Sequence, residues 1–304
     1  MTIDQVRITA VIMMGSVLGF HFFPALAMWI YQKRKNSRSA RGVFRTYLIW
    51  YIMLPVLILP ILIDQIAFIA LCYLLSLFGF RELVKYTEIN TNKFLKAFIQ
   101  LAITAVYAVL YFNNPTFIYL ACISGVLLIV MISLVAADYK SYLNKVGISV
   151  YAFLYCGLLL SYLAVLRQHE KGIIYVFMFI MCITNNDGFS YITGSFIGRH
   201  KLVPNLSPHK SIEGTAGGII TTIIMAQILN MVFQLEVSLL KIAALGILLA
   251  VGGTSGDLVM SAVKRNLGLK DFGSLIPGHG GLLDRLDSLL LAAPLYYYFC
   301  LLVL

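Results

Sequence analysis

The stretch TFIYLACISGVLLIVMISLVAA, residues 116–137, carries no Asp, Glu, Lys, Arg or His. A soluble core helix needs one apolar stripe, whereas this run is apolar all round, as only a deeply buried or lipid-facing helix can be. Its length also meets the requirement of roughly 20 helical residues for crossing a hydrocarbon core. The stretch therefore predicts a membrane span.

Nine further apolar runs lie around it, giving ten candidate spans at 6–31, 47–63, 66–80, 95–112, 116–137, 147–166, 172–194, 214–233, 240–260 and 284–304. Only Asp64 and Gln65 separate the short second and third runs, so a re-entrant pair and nine spans form the alternative count. Of the 304 residues, 60% are hydrophobic and 12% charged, and mean hydropathy is +0.88. Soluble domains carry about 25% charged residues, so an ordinary soluble fold is excluded. Disordered, collagen-like and disulfide-framework classes are excluded too, because apolar content is high, glycine lacks a triplet period and cysteine is sparse. The expected fold class is all-α, a polytopic helical membrane bundle of nine or ten spans.

The net charge of +10 tests this map, since Lys and Arg collect in cytoplasmic loops. With the N-terminus outside, the inner loops hold the run from Lys33 to Arg45, then Arg81, Lys85, Lys93, Lys96, Lys140 and Lys145. Arg199, Lys201, Lys210, Lys264, Arg265, Lys270 and Arg285 follow, leaving only Arg7, Arg167, Lys171 and Lys241 outside. The Lys33–Arg45 run contains no acid and is expected to face the anionic inner leaflet. Arg81, Glu82 and Lys85 mix signs at a helix end and read as interfacial anchoring. The first run lacks the basic start of a signal peptide and is expected to be a retained span. The five cysteines all lie in apolar segments without a Cys-x-x-Cys pair, and are expected to be packing residues.

Acids gather in the second half: Asp187, Glu213, Asp257, Asp271, Asp284 and Asp287. Asp257, Ser261 and Lys264 are spaced i, i+4, i+7, which puts acid, hydroxyl and cation on one helical face. Asp284 and Asp287, at i, i+3, share a face and repel each other unless a cation sits between them. Hard oxygen donors of this kind suit Mg²⁺. The alternative pairs these acids with Lys264, Arg265 and Arg285 in structural salt bridges. In Pro277-Gly278-His279-Gly280-Gly281 the glycines let backbone N–H groups approach an anion at the start of the last helix; His279 could serve as a phosphate donor or as a loop hydrogen bond. Ser207-Pro208 predicts an N-cap and first helical residue, placing Lys210 in the first turn of a helix leading into the eighth span.

Residues 261–287, SAVKRNLGLKDFGSLIPGHGGLLDRLD, resemble the signature of the phosphatidate cytidylyltransferases, or CDP-diacylglycerol synthases. Ser-x-x-Lys-Arg, Lys-Asp, Pro-Gly-His-Gly-Gly and Asp-Arg-x-Asp follow in that order. Upstream, Asn186-Asp187, Gly198-Arg199, Leu202-x-Pro204, Ser207-Pro208-x-Lys210 and Glu213-Gly214 resemble a second stretch typical of the family. The chain departs from it at Asp187-Gly188-Phe189-Ser190-Tyr191, at His209 where glycine is usual, and at Ser211 where threonine is usual. The resemblance covers roughly 183–304, so the expected division is 1–182, N-terminal spans, and 183–304, catalytic region.

The resemblance implies cytidylyl transfer from CTP to phosphatidate, giving CDP-diacylglycerol and pyrophosphate. It implies Mg²⁺ on Asp257, Asp284 and Asp287, with Asp187 as a further ligand. Lys264, Arg265, His279 and Arg285 are the expected catalytic residues, and Lys210, Ser261, Lys270, Gly278, Gly280 and Gly281 the expected substrate-binding residues. Expected partners are CTP, phosphatidate in the inner leaflet and other membrane lipid, with a homodimer allowed and no nucleic acid; the expected location is the cell inner membrane. The rivals are a CTP-dependent polyprenol or phytol kinase and a membrane transporter. A CDP-alcohol phosphotransferase is excluded, because Tyr191 and Ile192 stand where its Asp-Gly-x-x-Ala-Arg stretch needs Ala and Arg.

Overall fold

The computed structural model describes residues 2–15, 55–112, 116–136, 139–273 and 280–303. The Lys33–Arg45 run, most of the first candidate span, residues 47–54 of the second, and Ser274 to His279, with Gly278, lie outside the described residues. Helical residues 3–15 (α1) and 55–63 (α2) precede eight long helices: α3 (Gln65–Val84), α4 (Lys93–Tyr111), α5 (Thr116–Ala136), α6 (Tyr142–Arg167), α7 (Gly172–Ile197), α8 (Ile212–Val232), α9 (Leu239–Asn266) and α10 (Leu283–Val303). Each of these eight is long and apolar enough to cross a membrane. The protein is a polytopic helical bundle, and the third run, short in the sequence, forms a full helix of 20 residues.

Local chemistry sets the boundaries. Asp64 breaks the apolar run because its extended backbone ends α2, while its carboxylate accepts the Ile66 N–H at 3.2 Å and caps α3. Asn92 caps α4 in the same way through the Leu95 N–H at 3.0 Å. In α6 the helical repeat opens into a π turn over Phe153–Leu158. The predicted helix start at Ser207-Pro208 is corrected. Lys201–Val203 (β1) and Ser207–Ser211 (β2) form an antiparallel hairpin, with Lys201 opposite Ser211 and Val203 opposite Ser207. The N-cap is Ser211, whose hydroxyl accepts the Gly214 N–H at 3.1 Å. Lys210 therefore sits on a strand, one residue before the cap.

Helix α7 is the axis: every residue from Gly172 to Ile183 is buried, and the helix runs unbroken across the 182/183 position. It packs among α8, α9, α10 and the second half of α6. In α5, by contrast, Ile123, Leu127, Leu128, Met131 and Leu134 are exposed, as befits a helix facing lipid. Small residues draw the helices of the second half together. A Cβ at Gly256 of α9 would run into the Asp287 carbonyl of α10, so this glycine lets the two acid-bearing helices touch backbone to backbone. All five cysteines are buried and free.

The two ends of the bundle use their charged side chains differently. At one end Arg7 donates to the Ile63 carbonyl at 3.2 Å, Arg167 to the Ile61 carbonyl at 2.9 Å and Lys241 to the Val303 carbonyl at 2.8 Å. These cations, assigned outside by the charge pattern, satisfy unpaired carbonyls at helix C-termini. The hairpin and the acids of α7, α9 and α10 occupy the opposite end.

Candidate active site

Helix α9 projects Asp257 and Lys264 from the face that the i, i+7 spacing required, with Ser261 half-buried between them. Asp257 Oδ2 accepts from Lys210 Nζ at 2.6 Å, which ties β2 to α9. Two turns on, Lys264 Nζ donates to Asp284 Oδ1 at 2.7 Å, with side chains 13% and 3% exposed. Asp284 Oδ2 accepts the Phe272 and Gly281 N–H groups at 2.9 and 2.8 Å. All of these partners of Asp284 are donors, so the protein itself engages both oxygens.

The two acids of α10 part company. Asp284 turns to Lys264 and the Phe272 and Gly281 N–H groups, whereas Asp287 faces Asp257 and Asp187, with Lys264 nearby. Asp187 of α7 accepts from Ser288 Oγ at 2.8 Å and from Asn186 Nδ2 at 3.4 Å, and is flanked by Asp257 and Lys210. The Ser288 N–H donates to Asp287 at 3.0 Å. Asp187, Asp257 and Asp287 thus form one carboxylate cluster spread over three helices, with Lys210 and Lys264 at its edges. Mutual repulsion at low dielectric calls for another cation.

A divalent cation fits this donor set. Asn186 Oδ1 and Ser190 Oγ, on the same helix as Asp187, are buried against Gly218 of α8 and have no partner among the described residues. Among the described residues, no three acidic, His or Cys side chains stand close enough to form a metal cage alone. Mg²⁺ does not require such a cage, since it keeps several waters and binds through one or two carboxylates plus substrate phosphates.

A cavity of about 480 Å³ opens from Asp187 and Asp257 toward the hairpin, lined also by Ser190, Lys201, His209 and Lys210. Acids form its floor and cations its wall. Glu213, grouped with the site acids in the sequence, holds this wall in place: it accepts the Arg199 N–H at 3.1 Å and the His200 N–H at 3.2 Å and pairs with the His200 imidazole.

Other expected site residues lie elsewhere. Arg265 is exposed and donates to the Leu269 carbonyl at 3.3 Å, closing the end of its own helix. Lys270 is exposed, and Arg285 is half-buried on α10 with a buried Nε. Gly280 has φ +82°, and a Cβ there would meet Asp284 Oδ2 at 2.6 Å. At Gly281 a Cβ would instead meet Glu82 Oε2 at 2.6 Å. Both glycines serve to bring carboxylates onto the turn.

Glu82 is the residue that sequence reading misplaced. From α3 its Oε1 and Oε2 accept the Leu282 and Leu283 N–H groups at 3.0 and 2.9 Å, a two-pronged cap on α10. The helix start expected to receive an anion already holds one, supplied by the protein. The only trace in the sequence is an acid between Phe80 and Leu83, within an apolar helix.

Fold and site together define a polytopic membrane protein with an acid-and-lysine centre at one end of its bundle. A family model described as the cytidylyltransferase family matches residues 44–303, and the chain belongs to that family. The match extends well upstream of the stretch where the motifs alone carried the resemblance. The chain is 38% identical over 156 residues to a phosphatidate cytidylyltransferase of Bacillus subtilis, covering 51% of this chain and 58% of that protein. It is 40% identical over 153 residues to a phosphatidate cytidylyltransferase of Mycobacterium tuberculosis, covering 50% and 46%. To the uncharacterized protein YnbB of Escherichia coli it is 36% identical over 182 residues, covering 58% and 61%. The chain thus spans about half to three-fifths of the curated relatives it matches.

Proposed function

We propose that the chain transfers a cytidylyl group from CTP to phosphatidate, giving CDP-diacylglycerol and pyrophosphate. The observation that carries this is a cavity lined by Asp187 and Asp257 together with Lys201, His209 and Lys210, with Asp287 beside the two acids. Family membership and the names of the relatives support it. A phosphate oxygen of phosphatidate forms the new bond to the α-phosphorus of CTP; the bond to the bridging oxygen breaks, and pyrophosphate leaves with that electron pair. Phosphatidate is an anionic nucleophile near neutral pH, the second pKa of a phosphomonoester being about 6, so no general base is needed.

What the residues must supply is alignment and neutralisation. Lys201 and Lys210 line the cavity and offset triphosphate charge. Lys264 keeps Asp284, and through it the Gly280–Gly281 turn, in place. Asp257, Asp287 and Asp187 would hold Mg²⁺, which when bound offsets charge on the phosphates. The hairpin end would face the cytosol, where CTP is found, in the inner membrane of the cell, and the acyl chains of phosphatidate would remain in the inner leaflet. The acids gather toward one end of the bundle, whereas a transporter path would set ionisable residues near mid-depth in several spans.

The test uses purified protein in mixed micelles with phosphatidate, Mg²⁺ and CTP labelled separately at the α- and γ-phosphates. The α-label is expected in the lipid and the γ-label in pyrophosphate, with transfer lost on EDTA addition and restored by Mg²⁺. The γ-label in the lipid would establish a kinase instead, and no transfer would favour the transporter.

A second prediction concerns the cap on α10. Glu82→Gln leaves one acceptor oxygen for two N–H groups, and hydrogen bonds to charged groups are worth about 1.5–3 kcal/mol. Transfer should fall about tenfold as the turn loosens, while Glu82→Ala should fall further. Wild-type rates in both variants would return Glu82 to the role of an interfacial anchor.

A further inference from the structure

Two tyrosines on the π turn side of α6 are unexplained by the site as described. Tyr155 is 4% exposed and stacks on half-buried Tyr151, ring centroids 5.1 Å apart and planes 19° from parallel. Both hydroxyls are buried and neither has a hydrogen-bond partner among the described residues. An unpaired buried hydroxyl is costly, and two side by side call for a partner that the described residues do not supply. A π turn in a helix is itself frequent at functional sites.

Tyr155 is the one of the pair that lies toward the carboxylates. Cys156, next in the chain, flanks Gly79 together with Leu283: a Cβ on Gly79 would meet Cys156 Sγ at 3.9 Å and Leu283 Cδ2 at 3.1 Å. The π turn therefore lies level with the start of α10, and Tyr155 is within electrostatic reach of Asp287 and Asp257. The cationic cavity reaches the same cluster from the hairpin, and neither tyrosine lines it.

In-line displacement requires nucleophile and leaving group on opposite sides of the reacting phosphorus. With the triphosphate against the lysines of the cavity, the acceptor phosphate arrives from the other side of the cluster. We propose that Tyr155, assisted by Tyr151, donates hydrogen bonds from its hydroxyl to the phosphate of the lipid acceptor and so sets its line of attack. This rests on the cytidylyl-transfer reading. Neutral phenols fit such a role, because they orient the attacking phosphate without neutralising the charge that makes it a nucleophile.

The test compares wild type with Tyr155→Phe and the double variant Tyr151→Phe/Tyr155→Phe, which keep the rings and remove only oxygens. For Tyr155→Phe, kcat/KM for phosphatidate should fall at least about tenfold, as loss of a hydrogen bond to a charged group requires. The double variant should fall further, while KM for CTP stays within about twofold and the unfolding temperature is unchanged or raised. A kcat/KM for phosphatidate within about twofold of wild type would overturn the proposal. So would a loss carried by KM for CTP, or a lowered unfolding temperature that accounts for the change. Binding of short-chain phosphatidate, measured by calorimetry without CTP, separates this from the reaction. If the wild type binds that lipid but transfers no α-label, the cytidylyl reading fails; about tenfold weaker binding by Tyr155→Phe would still uphold the tyrosine contact, and equal binding would sink it.

Discussion

Asp284→Asn is expected to abolish transfer and to lower the unfolding temperature in detergent. Lys264 Nζ, Phe272 N and Gly281 N all donate to this carboxylate. Asparagine offers one acceptor oxygen and an NH₂ group, so at least one donor is set against another. The pair is also nearly sealed from solvent, at 13% and 3% exposure, and removing one partner of a buried pair costs about 3–5 kcal/mol. A residue that did nothing but hold Mg²⁺ would behave differently, giving a dead but fully stable protein. Measuring both α-label transfer and thermal unfolding distinguishes the two, and Lys264→Met/Asp284→Asn should recover part of the lost stability but no activity. An Asp284→Asn protein that unfolds with the wild type would refute the loop-holding role.

Asp257→Asn should lose as much activity for a different reason. Asp257 sits where three carboxylates repel one another, so removing its charge relieves strain within the cluster and offsets the loss of its pair with Lys210, whose side chains are 26% and 24% exposed. Stability should hold or rise. Transfer should fall by about three orders of magnitude, the effect of several kcal/mol of lost charge stabilisation, and the Mg²⁺ concentration needed for half-maximal rate should increase. Activity within about threefold of wild type at the same Mg²⁺ would remove Asp257 from the centre. The two variants lie one helix apart and should show opposite signs in stability.

Helical periodicity made part of this legible. Runs such as 116–137 have one physical solution in lipid, and the Asp257–Ser261–Lys264 spacing places its residues on one face whatever surrounds the helix. The same rule is less informative for Asp284 and Asp287. Both project from the start of α10, yet the Phe272 and Gly281 N–H groups capture one of them and leave the other to Asp257 and Asp187. Ser207-Pro208 reads as a cap by local chemistry alone, and it outweighs the competing signal, Ser211 three residues before Gly214, that the fold uses. Glu82, Tyr151 and Tyr155 lie in the half of the chain where the recognised motifs are absent. Their roles depend on contacts with partners far along the sequence, which no local pattern encodes.

The Glu82 cap also bears on how the molecule is made. Its carboxylate is synthesised about 200 residues before the Leu282 and Leu283 N–H groups that it accepts. Until α10 has been inserted, that charge sits near the end of an apolar helix without its partners. The centre is therefore completed late in biogenesis, by a clasp between early and late segments, and a nascent chain halted before α10 would carry both an open clasp and an incomplete carboxylate cluster.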